Sequence, residues 1–106
     1  MQNTQPDIKV IQPNDILDAS NADALWNILS KEISSHKSTD LMIDMSNVKS
    51  LDSIGLIPFV SAVYAARGFS KNLYLYSVSP KVRMIFELTQ LDRLFKFVEK
   101  EPVLLM

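Results

Sequence analysis

Apolar positions along the chain fall into short continuous runs that alternate with longer stretches at helical spacing. Ile8, Val10 and Ile11 form the first run, and the turn-forming cluster Gln12-Pro13-Asn14-Asp15 stops it, which predicts a strand over 8–11. Ala22, Leu25, Trp26, Leu29 and Ile33 then line one face of a helix. Ser20, with Asp23 three residues on, has the form of a capping box that would open it. The polar stretch Ser34 to Thr39 predicts a loop. Leu41-Met42-Ile43, enclosed by Asp40 and Asp44, is the pattern of a strand buried on both faces in a parallel sheet covered by helices. Val48 and Leu51 stand alone and are expected to anchor a loop to the core.

A second helical pattern, Leu56, Phe59, Val60, Val63 and Ala66 or Arg67, begins near Ser53. Pro58 removes a helical N–H and crowds the preceding turn, so it pins the helix start close to Ser53–Gly55. Gly68 is expected to end that helix in the left-handed conformation. Leu73-Tyr74-Leu75-Tyr76 is rich in strand formers. Ser79-Pro80 predicts a third helix start, with serine as N-cap and proline as the first helical residue. Val82, Ile85, Phe86 and Leu88 or Thr89 give that helix its apolar face, and Phe95, Phe97 and Val98 form a last strand. Strands alternating with helices imply right-handed crossovers. The expected fold is α/β: a small mixed or mainly parallel sheet of about four strands. Trp26, Tyr74 and Tyr76 suit core or half-buried places better than a ligand box.

Composition narrows what such a fold could do. The chain has 106 residues, room for one domain, here divided into a flexible polar start over 1–7 and a folded part over 8–106. Eleven basic against 12 acidic residues give a net charge of -1, which argues against a nucleic-acid partner or an anionic membrane surface. No run is long enough to span a membrane, and the polar start lacks the form of a signal peptide, so a cytoplasmic location without membrane insertion is expected. Cysteine is absent, which removes disulfides and thiolate metal sites.

Catalysis has few candidates. The one histidine, His36, lies in the polar loop, and Asp40 suits a solvated strand end better than an acid–base role. No phosphate-cradling glycine loop, zinc-ligand spacing or nucleophile elbow occurs, so no cofactor, no metal and no enzymatic activity are expected. The segment that stands out is Leu51-Asp52-Ser53-Ile54-Gly55-Leu56, which leads from a buried strand's following loop into a helix. Loops leaving the carboxyl ends of parallel strands are where ligands and partners bind. Ser53 there can be a helix N-cap. That reading takes precedence on the pattern alone; the functional reading, compatible with it, is a phosphorylation site, where a phosphate would meet the positive helix end and several open backbone N–H groups, with Gly55 allowing close approach.

These residues resemble the STAS family, the domain of bacterial anti-sigma-factor antagonists. Ile43-Asp44-Met45-Ser46-Asn47-Val48 followed by Leu51-Asp52-Ser53-Ile54-Gly55-Leu56 is similar to the family's signature strand, loop and helix start. Val78-Ser79-Pro80-Lys81-Val82-Arg83, Phe86-Glu87-Leu88-Thr89 and Leu91-Asp92-Arg93-Leu94-Phe95 resemble its last helix and the lead into its final strand. Ile16-Leu17-Asp18, with Ala22 and Leu25 beyond, is similar to its first strand–helix junction. The resemblance runs from Val10 to Val98, although the family often begins with two strands and only Ile8–Ile11 reads as one here. Gln90 and Asp15 stand where many members carry glycine.

By position, the resemblance implies that Ser53 is phosphorylated by a serine protein kinase and restored by a PP2C-type phosphatase. The expected switch surface joins Asp18 and Asp52, matched by the resemblance, to Gly55 and to Ile54 and Ile57, which follow Ser53 closely and are candidates for a partner-facing apolar patch. The unphosphorylated form would bind the kinase or another anti-sigma-type protein, as a monomer or weak dimer. Two other readings are an accessory subunit of a membrane transport system, since STAS domains also serve transporters, and a small-molecule or nucleotide sensor. The apolar tail Pro102 to Met106 is expected to dock on the body or to make a dimer contact.

Overall fold

Every strand pairing among the described residues is parallel, so each return of the chain needs a crossover. The computed structural model describes residues 8–35 and 40–99. Over these the chain runs β1 (Ile8–Ile11), β2 (Asp15–Leu17), α1 (Ala22–Ile33), β3 (Asp40–Asp44), β4 (Val48–Leu51) and α2 (Ser53–Gly68). It continues through β5 (Asn72–Tyr76), α3 (Pro80–Leu88), a 3-10 turn (Leu91–Arg93) and β6 (Lys96–Val98). The main sheet has the order β1-β3-β5-β6, and β2 and β4 form a separate two-stranded ribbon. The α/β class and the four-stranded parallel sheet agree with the sequence. The expectations about the start over 1–7, His36 and the tail Pro102–Met106 lie outside the described residues.

The ribbon is what the sequence pattern did not disclose. Neighbouring β1 and β3 pass through two short links, 12–14 and 45–47, into β2 and β4. The links are stitched together by Asp15 N–H to the Asn47 carbonyl (2.8 Å) and by the Asn47 amide to Asn14 Oδ1 (3.3 Å). So Gln12–Asn14 is a short link and Asp15 already begins a strand, while Val48 and Leu51, expected to anchor a loop, are the buried ends of β4. Among the described residues two strands, 8–11 and 15–17, therefore precede the first helix.

Burial alternates along the central strands. Leu41, Ile43, Leu73 and Leu75 are buried, whereas Met42 and Tyr74 between them are half-buried. This corrects the expectation that β3 is buried on both faces. Register places Val10, Met42, Tyr74 and Lys96 in one row on that more open face. On the covered side α1 and α2 pack against each other, with Leu29, Ile33, Phe59 and Ala62 fully enclosed. Phe59 of α2 meets Phe86 of α3 and Phe95 edge to face, with ring centroids 5.4 and 6.2 Å apart. Such pairs contribute about 0.5–1.5 kcal/mol beyond their buried area. Leu88 is 77% exposed and does not belong to the α3 core face, which is Val82 and Phe86.

Helix ends follow capping chemistry, with some offsets from expectation. Ser79 caps α3, its hydroxyl accepting from Val82 N–H at 3.3 Å, and Pro80 is its first residue. The Ser20–Asp23 capping box does not form, because Asn21 occupies the N-cap of α1 and makes no side-chain cap bond. Gly68 does not adopt the left-handed conformation; it closes α2 as a helical residue, and the turn is taken by Ser70 at φ 55°. Left-handed backbone also occurs at Asp15 (φ 60°) and Gln90 (φ 62°), the two positions where the resemblance expects glycine.

Candidate functional site

Both strands of the ribbon end together. Leu17 pairs with Leu51, and Asp52 N–H donates to the Leu17 carbonyl at 3.2 Å. The residues that follow, Asp18 on one strand and Asp52 with Ser53 on the other, are thus brought side by side at the carboxyl end of the ribbon. Gly55 locks the arrangement from behind. It is buried rather than part of the surface, and a Cβ on it would lie 2.1 Å from the Leu17 carbonyl oxygen and 3.1 Å from the Asp18 nitrogen. The first turn of α2 can sit this close to β2 only with a residue lacking that atom.

Asp52, not Ser53, is the N-cap of α2. Its Oδ1 accepts from Ile54 N–H at 3.0 Å and from Gly55 N–H at 2.8 Å, and its carbonyl takes the Leu56 N–H. This corrects two expectations. Ser53 is the first helical residue, exposed, and its hydroxyl has no hydrogen-bond partner among the described residues. Of the N–H groups expected to receive a phosphate, those of Ile54 and Gly55 are already taken by the Asp52 carboxylate, which itself occupies the positive end of the helix.

Asp18 is held just as definitely. Its Oδ1 accepts from the Ser20 hydroxyl at 2.6 Å and from Ser20 N–H at 2.9 Å. The Ser20 hydroxyl bond, then the backbone bond, hold the carboxyl below its ordinary value of 3.8. The Asn21 amide ties the same bend to β2, its Oδ1 accepting from Asp18 N–H (2.9 Å) and its nitrogen donating to the Ile16 carbonyl (2.8 Å). Ser20 and Asn21 are positioning residues that the sequence reading missed. The readable signal was an aspartate with a serine two positions on, the signature of an Asx turn.

Around these carboxylates lies apolar surface: Ile54 is 45% and Ile57 is 54% exposed, while Phe59 is fully buried. Ile16, 51% exposed on β2 beside the same bend, was not anticipated. Elsewhere, Asp40 clips two strand starts together by accepting from Asn72 N–H at 3.0 Å. Among the described residues no group of three or more His, Asp or Glu could hold a metal ion, and no helix is long and apolar enough to cross a membrane.

Comparison with known proteins identifies the family and the fold. An anti-sigma-B factor antagonist of Staphylococcus epidermidis is 36% identical over 64 residues, a stretch that is 60% of this chain and 59% of that protein. The solved structure of the anti-sigma factor antagonist SpoIIAA in its unphosphorylated form superimposes with a TM-score of 0.71 at 15% identity, covering 94% of this chain and 86% of that one. A sulfate transporter family protein from Wolinella succinogenes shares the fold with a TM-score of 0.73 at 16% identity, covering 85% of this chain and 75% of that one. The STAS domain family model matches residues 1–102, and the chain belongs to that family.

Proposed function

We propose that the chain is a phosphorylation-switched protein-binding regulator of the anti-sigma-factor-antagonist type, with Ser53 as the phosphoacceptor. The observation that carries this reading is the exposed Ser53 hydroxyl, without a hydrogen-bond partner among the described residues, at the ribbon end that also carries the fixed carboxylates of Asp18 and Asp52, with Ile54 and Ile57 exposed nearby. The antagonist relative and the antagonist structure named for its unphosphorylated form support it. The shared fold of the transporter-family protein means that fold alone does not choose between a switch and a transport accessory; the Ser53 surface favours the switch.

The mechanism follows from charge. Unphosphorylated, the site presents Ile16, Ile54 and Ile57 as apolar docking area for a serine kinase or other anti-sigma-type protein. A phosphate adds about −1.5 to −2 charge beside Asp52 and Asp18. Because Asp52 already takes the helix's donors, the new charge projects toward the partner, where burying it is costly. A PP2C-type phosphatase would restore the binding form. The test is to incubate the protein with an anti-sigma-type serine kinase from the same genome and ATP, locate phosphate by mass, and measure kinase binding of Ser53→Ala and Ser53→Asp. Phosphate on Ser53 and at least about tenfold weaker binding of Ser53→Asp than of Ser53→Ala are expected. Equal binding of the two variants would sink the proposal.

A further inference from the structure

The outer face of α2 is short of charge. Its 16 residues hold one charged side chain, Arg67, whereas α1 carries Asp23, Lys31 and Glu32 in 12 residues and α3 carries Lys81, Arg83 and Glu87 in 9. Down that face run Ile54, Ile57, Ser61, Tyr64, Arg67 and Gly68, all exposed except the half-buried Ser61. Spacings of three and four keep them on one side of the helix, away from the buried Phe59, Ala62 and Ala66. Tyr64 is 66% exposed, and the Arg67 guanidinium lies 5.5 Å from its ring centre. A helix that is apolar on every side belongs in an interior, so this face has the make-up of a covered one. The switch surface accounts for Ile54 and Ile57, but not for Tyr64 and Arg67, about 17 and 21 Å from Ser53 along the helix.

The order of residues makes the face complementary to itself. Ser61 stands at the middle of α2, with Ile54 one heptad before it and Gly68 one heptad after. Laid antiparallel on a second α2 with a two-fold axis at Ser61, each Ile54 meets the Gly68 of the other copy, large against small. Ile57, about 6 Å before the axis, falls beside Tyr64, about 4.5 Å after it. Asp52 lies about 14 Å and Arg67 about 9 Å from the axis, a difference that an arginine side chain spans. Asp52 caps the helix through Oδ1 alone, and its second oxygen has no hydrogen bond among the described residues. Arg67 is in no salt bridge among the described residues, where the ion pairs use Lys49 and Arg83. Opposite charges therefore meet at both ends of the contact, and a net charge of -1 per copy opposes it little. The small Ser61 side chain lets the two helix axes cross closely.

We infer that two copies of this chain pair through α2, antiparallel about Ser61, with Tyr64 packed on Ile57 and Arg67 on Asp52 of the other copy. One helix face buries less than a standard interface, so the pair is weak and exchanges readily. The pair covers Ile54 and Ile57, so self-association and docking of a switch partner exclude one another. That consequence rests on the proposed role of Ser53; the pairing itself does not.

The test is sedimentation velocity of the full chain from about 10 μM to about 1 mM, where a weak dimer fills with concentration. Tyr64→Glu and Arg67→Glu alter exposed side chains, and each should weaken pairing at least about tenfold with an unchanged melting temperature. The chain has no cysteine, so Ser61→Cys carries a single thiol, which on the axis meets its own copy. In oxidised glutathione it should form a disulfide-linked dimer at least about tenfold faster than Lys49→Cys, an exposed position off the helix. If Ser61→Cys melts early, the two charge variants decide alone. A chain that stays monomeric throughout, a dimer that both charge variants leave intact, or equal linking at the two cysteines overturns the inference. A monomer whose α2 amide signals move as far as Tyr64 and Arg67 only when the kinase is added overturns it in favour of the switch partner as the cover.

Discussion

The two glycines of this chain should respond to the same substitution with opposite signs. Replacing glycine by alanine inside a helix gains up to about 1 kcal/mol from backbone entropy alone. At Gly68 nothing lies within 4 Å of the added carbon and φ is not positive, so Gly68→Ala, at the last position of α2, should gain about 0.5 kcal/mol. At Gly55 the added carbon falls 2.1 Å from the Leu17 carbonyl oxygen, where ordinary contact begins at 3.4 Å. The obstacle is backbone, so no side chain can swing away. The first turn of α2 and the end of β2 must separate by more than an ångström, which stretches the 3.2 Å bond from Asp52 N–H to Leu17 beyond use. Overpacking costs about 1–3 kcal/mol and the lost hydrogen bond about 1 kcal/mol, against a gain of at most about 1 kcal/mol. The net loss is about 2 kcal/mol, or about 8–16 °C in melting temperature for a domain near this size. Thermal and urea denaturation followed by far-UV circular dichroism would measure both variants. Gly55→Ala melting with or above the parent would refute the packing argument, and with it the claim that Gly55 fixes Ser53 against Asp18.

Three other outcomes test separate parts of the account. Asp52→Ala should lower stability by about 1–2 kcal/mol because two N–H groups lose their acceptor, whereas Asp52→Asn should keep most of the cap, as urea midpoints would show. Gln90→Gly should stabilise by about 0.5–1 kcal/mol, since Gln90 holds φ at 62° with its side chain exposed; a lower melting temperature would contradict this. Asp18 has a depressed folded-state pKa, so its contribution to stability is present above 3.8 and is lost as pH falls through the folded value below that. Ser20→Ala should therefore move the Asp18 carboxyl titration upward, and an unchanged carbon-13 midpoint would count against the Ser20 hydroxyl as its main cause.

The main sheet and its helices were legible because their apolar positions repeat over enough residues to define a period, as in Leu25, Leu29 and Ile33 or Leu73 and Leu75. The ribbon was not. β2 has three residues and β4 four, and a register shift between Asp15 and Ile16 breaks the alternation that would have announced them. Left-handed turns were misplaced for a related reason. Glycine is the usual signal, yet here Gly68 is helical and Asp15, Ser70 and Gln90 take the strained conformation. The N-cap of α2 lies one residue before the position the pattern suggested, and that residue matters, since Ser53 and Asp52 are both good caps by type and only packing against Leu17 decides between them.

That one-residue shift changes the physics expected of the switch. Had Ser53 been the cap, its hydroxyl would have been engaged, and a phosphate would have competed with the helix for its own donors. Modification would then have rearranged the start of α2 and acted through the fold. With Asp52 as cap, the donors of Ile54 and Gly55 are satisfied in both states and the helix's positive end is already neutralised. The hydroxyl one position on is free, on a turn that Gly55 and Leu17 hold rigid. In the proposed switch a phosphate there would find the Ile54 and Gly55 donors already taken, with Asp18 and Asp52 fixed at the same ribbon end as like charges. In the proposed switch most of its cost would therefore fall on a partner docked over Ile16, Ile54 and Ile57. A rigid site with its own anion hole filled is suited to changing affinity without changing shape.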